Sequence, residues 1–257
     1  YVAVGSSGLL KSSTDGANWT TRTSGTASNL NSVVYGTQFA AGGVGGVIVT
    51  STDAITWTTR TSGTTSTINC LAYGAGVYVA GLAGTSGSVL TSTDAVTWTT
   101  RTTSCTTDIY GMTYTGSKFI AAVNGQQYLT STDGITWSIS GLNGPPSGGS
   151  YSSVTYGNGQ YVAAAASATL YTSTDGGLWT TRTSGTASAI NAVAYNSTSG
   201  TYYYLGTNVF GTSTNAITWT PLASNQQSGT TSSLYAVVYG NNTYVYGGVG
   251  GVTGTST

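Results

Sequence analysis

The stretch STDAITWTTRTSG (residues 51–63) returns in close copies at five other places in a chain of 257 residues. Its core reads STDGANW (13–19), STDAITW (51–57), STDAVTW (92–98), STDGITW (131–137), STDGGLW (173–179) and STNAITW (213–219). Trp19, Trp57, Trp98, Trp137, Trp179 and Trp219 follow one another at spacings of 38, 41, 39, 42 and 40 residues. A period of about 40 belongs to propeller blades and to some helical repeats. The unit is rich in Thr, Val, Tyr and Gly and nowhere places apolar residues at helical spacing. It shows strand signals bounded by turn residues instead.

Four strands fit each unit. The first is represented by INAVAY (190–195), with SVVYG (32–36), CLAYG (70–74), SVTYG (153–157) and AVVYG (236–240) as counterparts. A short turn follows, clearest in GNGQ (157–160), where Asn-Gly supplies the positive φ angles of a tight hairpin. YVAVG (1–5), YVAG (78–81), FIAAV (119–123) and YVAAA (161–165) form the second strand, and VLTST (89–93) typifies the third. After the Asp turn, WTTRT makes the fourth. Four antiparallel strands repeated in this way describe an all-β fold, a β-propeller. Alternation places Trp57 and Thr59 on one face of the fourth strand and Thr58 and Arg60 on the other. The tryptophan is expected between blades. Tyr35, Tyr73, Tyr114, Tyr156, Tyr195 and Tyr239 of the first strand are expected to pack, with their hydroxyls bonded at the strand end.

The ends set the expected blade count. Residues 1–14 (YVAVGSSGLLKSST) match residues 244–257 (YVYGGVGGVTGTST) in phase, leaving six complete periods plus 14 residues. We expect a single propeller domain over 1–257 with seven blades, the first and last incomplete. Its units are approximately 1–28, 29–67, 68–108, 109–150, 151–189, 190–233 and 234–257. The stop at Thr257, where the next Asp turn is due, suggests a piece of a longer chain.

The repeated boxes resemble the Asp-box of bacterial-neuraminidase-type (BNR-like) repeat propellers, S-x-D-x-G-x-T-W. They are shortened by one residue between Asp and Trp, and the inner Gly is often missing. The resemblance implies that Asp15, Asp53, Asp94, Asp133, Asp175 and Asn215, with their tryptophans, build structural hairpins on the face away from a ligand site. Turn chemistry gives the same reading, because an Asp or Asn side chain accepts backbone N–H groups of its own turn. A general acid could not be exchanged for Asn215.

Composition narrows the chemistry. The 6 basic residues balance 6 Asp, and there is no His or Glu. Net charge is zero, which leaves no electrostatic footprint for nucleic acid. No run approaches the roughly 20 apolar residues that span a bilayer, so membrane insertion is not expected. Five of the acids sit in the boxes and only Asp108 lies elsewhere. Glycoside hydrolysis needs two carboxylates within roughly 5–10 Å, so a catalytic site is not expected, nor a cofactor. Cys70 and Cys105 cannot fill a zinc site; free thiols are the favoured reading and one bridge the alternative. Arg22, Arg60, Arg101 and Arg182 occupy one equivalent position and are expected to extend their heads into water.

Sequence varies most in the loops of the opposite face. SGLNGPPSGGSYSS (140–153) and LASNQQSGTTSSLY (222–235) exceed TSGTASAIN (183–191), and NGQQY (124–128) is unusual too. Candidate ligand contacts there are Tyr110, Asn124, Gln126, Gln127, Tyr128, Asn143, Tyr151, Asn225, Gln226, Gln227 and Tyr235. Tyr with Asn and Gln suits carbohydrate; drift in a repeat is the bland alternative. Asn18, Asn196 and Asn241 open glycosylation sequons.

In style, the whole repeat is similar to propeller regions of environmental phage virion and appendage proteins and of secreted bacterial surface proteins. The first functional reading is therefore a non-enzymatic structural or adhesive module of an extracellular fibre or surface filament. Its partners would be other subunits of the fibre or virion, and cell-surface glycans. The alternatives are a degenerate sialidase-like hydrolase and a protein-binding assembly factor, like the Asp-box-type propellers that assist photosystem II.

Overall fold

The computed structural model describes residues 1–84, 87–123, 128–140, 151–165, 168–223, 234–240, 243–248 and 253–256. The chain divides into two compact units, one of residues 1–123 and 129–139, the other of 124–128 and 140–257.

In the first unit, sheet one holds β1 (Val2–Val4), β2 (Leu10–Ser12) and β3 (Thr20–Thr21). Sheet two is β4 (Leu30–Tyr35), β5 (Phe39–Gly43), β6 (Ile48–Ser51) and β7 (Thr58–Arg60). Sheet three is β8 (Ile68–Gly74), β9 (Val77–Leu82), β10 (Ser88–Ser92) and β11 (Thr99–Thr102). Sheet four, β12 (Ile109–Tyr114), β13 (Phe119–Val123), β14 (Tyr128–Ser131) and β15 (Ser138–Ser140), lies in this unit apart from Tyr128 and Ser140. The second unit holds sheet five, β16 (Tyr151–Gly157), β17 (Gln160–Ala165), β18 (Thr169–Ser173) and β19 (Thr180–Thr183). Sheet six follows as β20 (Ile190–Asn196), β21 (Thr201–Gly206), β22 (Val209–Ser213) and β23 (Thr220–Ala223). Sheet seven is β24 (Leu234–Gly240), β25 (Thr243–Gly248) and β26 (Thr253–Ser256).

Each sheet is an antiparallel meander in chain order, as the strand spacing predicts. The blade count needs correction. Only six sheets carry the outer Asp hairpin that defines a blade, so there are six blades, not seven. The 14 surplus residues repeat the second and third strands and add no new hairpin.

Burial explains why the strands differ in composition. The second strands, β9 and β17, are buried on both faces from their second residue onward, which suits their continuous small and apolar runs. The outer strands β11 and β19 expose three of four residues and are written Thr-Thr-Arg-Thr. Between neighbouring sheets lie the cores. Trp137 packs with Phe119 and Leu129 of its own sheet and with Val79 and Val89 of sheet three. Trp57 sits with Leu10 of sheet one, and Trp219 with Val162 of sheet five. On one face of each complete sheet three rings run across the strands. Tyr114, Phe119 and Trp137 do so at 4.7 and 6.2 Å, and Tyr195, Tyr202 and Trp219 at 4.7 and 6.5 Å.

Three of the first-strand tyrosines pack on glycine: Tyr73 on Gly36, Tyr114 on Gly74 and Tyr195 on Gly157. A Cβ on Gly74 would stand 2.1 Å from the Tyr114 ring, and one on Gly157 would stand 2.1 Å from the Tyr195 ring. Each ring therefore lies on the bare backbone of the preceding sheet. Tyr35 has no such platform among the described residues and is 61% exposed, against the packed position expected of it. The bonded hydroxyl belongs to the second strand instead: Tyr78 donates to the Gln38 carbonyl (2.8 Å) and accepts the Gln38 N–H (2.8 Å). Tyr156 meets Tyr161 at 4.5 Å; the side chain of Tyr239 lies outside the described residues.

A β-bulge recurs at the second residue of every first strand, shown by the register shifts at Leu30/Ser32, Ile68/Cys70, Ile109/Gly111, Tyr151/Ser153, Ile190/Ala192 and Leu234/Ala236. The bulge re-aims one side chain. Asn31 Nδ2 reaches the Ile68 carbonyl (2.9 Å), Asn69 that of Ile109 (3.1 Å) and Asn191 that of Leu234 (2.8 Å). Ser152 donates to Ile190 in the same way (3.0 Å). These are clasps between adjacent sheets.

Candidate functional site

The Asp hairpins do what turn chemistry requires. Asp53 Oδ1 accepts the N–H groups of Ile55 and Thr56, both at 2.8 Å, and the Ser51 hydroxyl at 2.9 Å. The same set recurs at Asp15, Asp94, Asp133 and Asp175, and at Asn215 through its amide oxygen. The residue after the acid takes the left-handed conformation, glycine in three copies and Ala54, Ala95 and Ala216 in the others. That requirement is what the shortened box keeps of its inner glycine. Thr56 N–H, then Ile55 N–H and the Ser51 hydroxyl hold the Asp53 carboxyl down at about 2. Asp94, Asp133 and Asp175 are lowered for the same reason, led by the N–H groups of Thr97, Thr136 and Leu178. Five acids thus stay ionised while holding their own turns.

The sixth acid is also engaged. Asp108 Oδ1 accepts the Gly84 N–H (2.6 Å) and Oδ2 accepts the Tyr110 hydroxyl (2.8 Å). That bond, followed by burial, pushes the Tyr110 phenol up. Among the described residues no group of three or more His, Cys, Asp or Glu could hold a metal ion. Cys70 and Cys105 are free and buried, and burial pushes the Cys70 thiol up to about 12.

Four of the ligand residues expected from sequence lie among the described residues. Tyr110 closes on Asp108. Tyr128, expected as a ligand contact, is fully buried and stacks on Trp179 at 4.2 Å. Tyr151 pairs with Ala165 at the start of β16. Tyr235 is exposed at the bulge of β24. Asn124, Gln126, Gln127, Asn143, Asn225, Gln226 and Gln227 lie outside the described residues. Of the sequons, Asn18 Nδ2 donates to Asp15 Oδ2 (2.8 Å) and Asn196 is buried, its Oδ1 accepting Thr198 and Ser199 N–H groups. Asn241 lies outside the described residues.

The arginines are not simply extended into water. Nε of Arg22, Arg60, Arg101 and Arg182 donates to the hydroxyl of Ser12, Thr50, Thr91 and Thr172 on the adjacent strand, at 2.8 to 3.2 Å. None of the four forms an ion pair among the described residues. Arg60, Arg101 and Arg182 lie on outermost strands that pair with one neighbour only, and Arg22 directly follows β3, the outermost strand of sheet one. Between sheets one and two such a strand borders a groove of about 410 Å³. Thr21, Arg22 and Thr23 form one wall; Ile55, Thr56 and Trp57 form the other. Sequence reasoning set this rim aside. Yet its tips carry exposed aliphatics: Ile55, Val96, Ile135 and Ile217 two residues after the Asp or Asn, and Leu178 three residues after Asp175, 37 to 62% exposed.

No family model matches the chain. No curated protein matches it either. Solved structures do. YCF48 bound to D1 peptide superposes with a TM-score of 0.76 at 15% identity, over 99% of this chain and 86% of that one. YCF48 from Cyanidioschyzon merolae gives 0.71 at 17%, over 98% and 89%. The WD40 beta propeller domain of Doa1 gives 0.77 at 13%, over 99% and 87%. At these identities the likeness concerns the fold, and the fold is a β-propeller with four-stranded antiparallel blades.

Proposed function

We propose that the chain is a non-enzymatic, protein-binding propeller that holds a partner chain along the grooves of its hairpin rim. The observation that carries this reading is the solvent-facing aliphatics at hairpin tips within each unit: Ile55, Val96 and Ile135 in the first, Leu178 and Ile217 in the second. Repeated exposed apolar groups beside a groove favour a partner surface, and burying the half that is still exposed contributes roughly 1 kcal/mol each. A propeller of similar fold being bound to a peptide supports the same reading. The acids support a role without catalysis, since each is engaged in holding backbone. An extracellular setting, suggested by low charge and abundant Ser, Thr and Gly, belongs to the proposal. The fibre and glycan reading is less favoured, because Tyr128 is buried and Tyr110 is held by Asp108.

The test is selection of random-sequence displayed peptides on the immobilised full chain, repeated with the variant Ile55→Asp/Val96→Asp/Ile135→Asp. Selected peptides should bind the variant at least about tenfold more weakly, with its unfolding midpoint unchanged. Failure to enrich any peptide, or equal binding to the variant, would refute the reading.

A further inference from the structure

We propose that the outer edges of sheets two, three and five, β7, β11 and β19, take up an extended acidic segment of a partner protein as an added strand. The proposal rests on the protein-binding reading above and names the partner's chemistry.

The backbone argument comes from the ladder. Arg22 N–H donates inward to the Leu10 carbonyl at 2.8 Å. Arg60, Arg101 and Arg182 hold the same register opposite Ile48, Val89 and Leu170. In an antiparallel pair, residues alternate between inward-bonded and outward-facing backbone. Thr100 and Thr102, like Thr181 and Thr183, therefore turn N–H and C=O outward. Unpaired edges of this kind are templates for strand addition.

One blade shows what a guarded edge looks like. In β23, Pro221 stands opposite Gly211, as Thr100 stands opposite Leu90. Proline is accommodated there because the N–H it lacks would face outward, and it removes that donor from any incoming strand. Sheets two, three and five carry threonine at this position, a strong strand former with its donor intact.

Charge identifies the occupant. Each open edge has one arginine, fixed through Nε to a hydroxyl, without an ion pair among the described residues. A residue of an added strand directly opposite that arginine places its Cβ about 4.5–5.5 Å away. A carboxylate there meets the free nitrogens of the guanidinium as charge-assisted hydrogen bonds. A second copy of this chain could not supply it. All six Asp lie in turns or in the loop between β11 and β12, and there is no Glu. The occupant is therefore an acidic segment of another protein.

The probe is a terminally blocked, fluorescein-labelled Thr-Val-Glu-Val-Thr-Val peptide, with its Gln counterpart and a Glu peptide N-methylated at alternate residues. Anisotropy is measured with the full chain and with Thr59→Pro/Thr100→Pro/Thr181→Pro, whose substitutions copy Pro221. The Glu peptide should bind, the Gln peptide about tenfold more weakly. The N-methylated peptide and the proline variant should give no binding. The N-methylated arm uses unaltered protein, so misfolding of the variant cannot mimic the result. Equal binding of Glu and Gln peptides overturns the acidic class. Binding that survives N-methylation or edge proline overturns strand addition, and no binding of the Glu peptide overturns the whole proposal. If displayed peptides still depend on Ile55, Val96 and Ile135, the protein-binding reading survives these failures.

Discussion

Replacing Gly74 by alanine tests the inter-sheet contact most directly. The new Cβ would stand 2.1 Å from Tyr114 Cγ and 2.4 Å from both Cδ atoms. Carbon atoms pack best at about 3.5–4.0 Å, so the ring would have to retreat by well over 1 Å. It cannot do so freely. Phe119 lies against it at 4.7 Å, is fully buried, and meets Trp137 at 6.2 Å. Overpacking of this kind costs about 1–3 kcal/mol, and we expect the upper end because three rings must move. In a domain of this size that lowers the unfolding midpoint by roughly 6–12 °C. Tyr114→Ala removes the obstacle. In that background the extra methyl should stabilise by about 0.4–1 kcal/mol, through the restricted unfolded chain. The sign of Gly74→Ala thus reverses between backgrounds, a coupling of about 3.5–4 kcal/mol in a double-mutant cycle. Thermal unfolding followed by tryptophan fluorescence reads all four proteins. A loss below about 1 kcal/mol for Gly74→Ala alone, or no coupling with Tyr114→Ala, would refute ring-on-glycine packing.

Three further outcomes are expected. Asp133→Asn should unfold within about 0.5 kcal/mol of the parent, since Asn215 already serves in this turn, while Asp133→Ala should lose about 1–2 kcal/mol by stranding two N–H groups; equal losses on thermal melts would count against the turn role. The hairpin carboxyls are lowered in the folded state from an unfolded value of about 3.9, so their stabilisation is complete above that pH and fades as pH falls toward about 2. The midpoint should therefore drop across that window, and a chain with Asp53, Asp94, Asp133 and Asp175 all replaced by Asn should lose less. Finally, the buried thiols of Cys70 and Cys105 should resist a thiol reagent in the native state and react fully in denaturant; fast native labelling would contradict their burial.

The repeat, the strand order and the turn types were legible because they depend on residues near one another in the chain. Asn158 and Gly159 adopt positive φ as their dipeptide predicts, and the Asp turns close within a few residues. What depends on a neighbouring strand was not legible. The arginines looked free because their hydroxyl partners lie ten residues earlier, across a strand pair whose register the sequence does not state. Tyr128 looked like a loop aromatic beside NGQQ, but it opens β14 and stacks on Trp179, 51 residues further along (179 − 128). The clasp had a signal that went unread: Asn31, Asn69 and Asn191 hold one place in the repeat. So did the rim, since the second residue after the Asp or Asn is Ile or Val in four of six boxes. A structural role assigned to the acid drew attention away from its aliphatic neighbour.

The glycine platform gives the repeat a direction. Tyr73, Tyr114 and Tyr195 lean on Gly36, Gly74 and Gly157 of the sheet before them, so the two halves of that contact belong to different blades. A duplicated blade that carries both the glycine and the tyrosine brings one half for each neighbour. Arrays with such polarity can lengthen by duplicating a single gene segment. The near-identity of the six hairpins is the record such growth would leave.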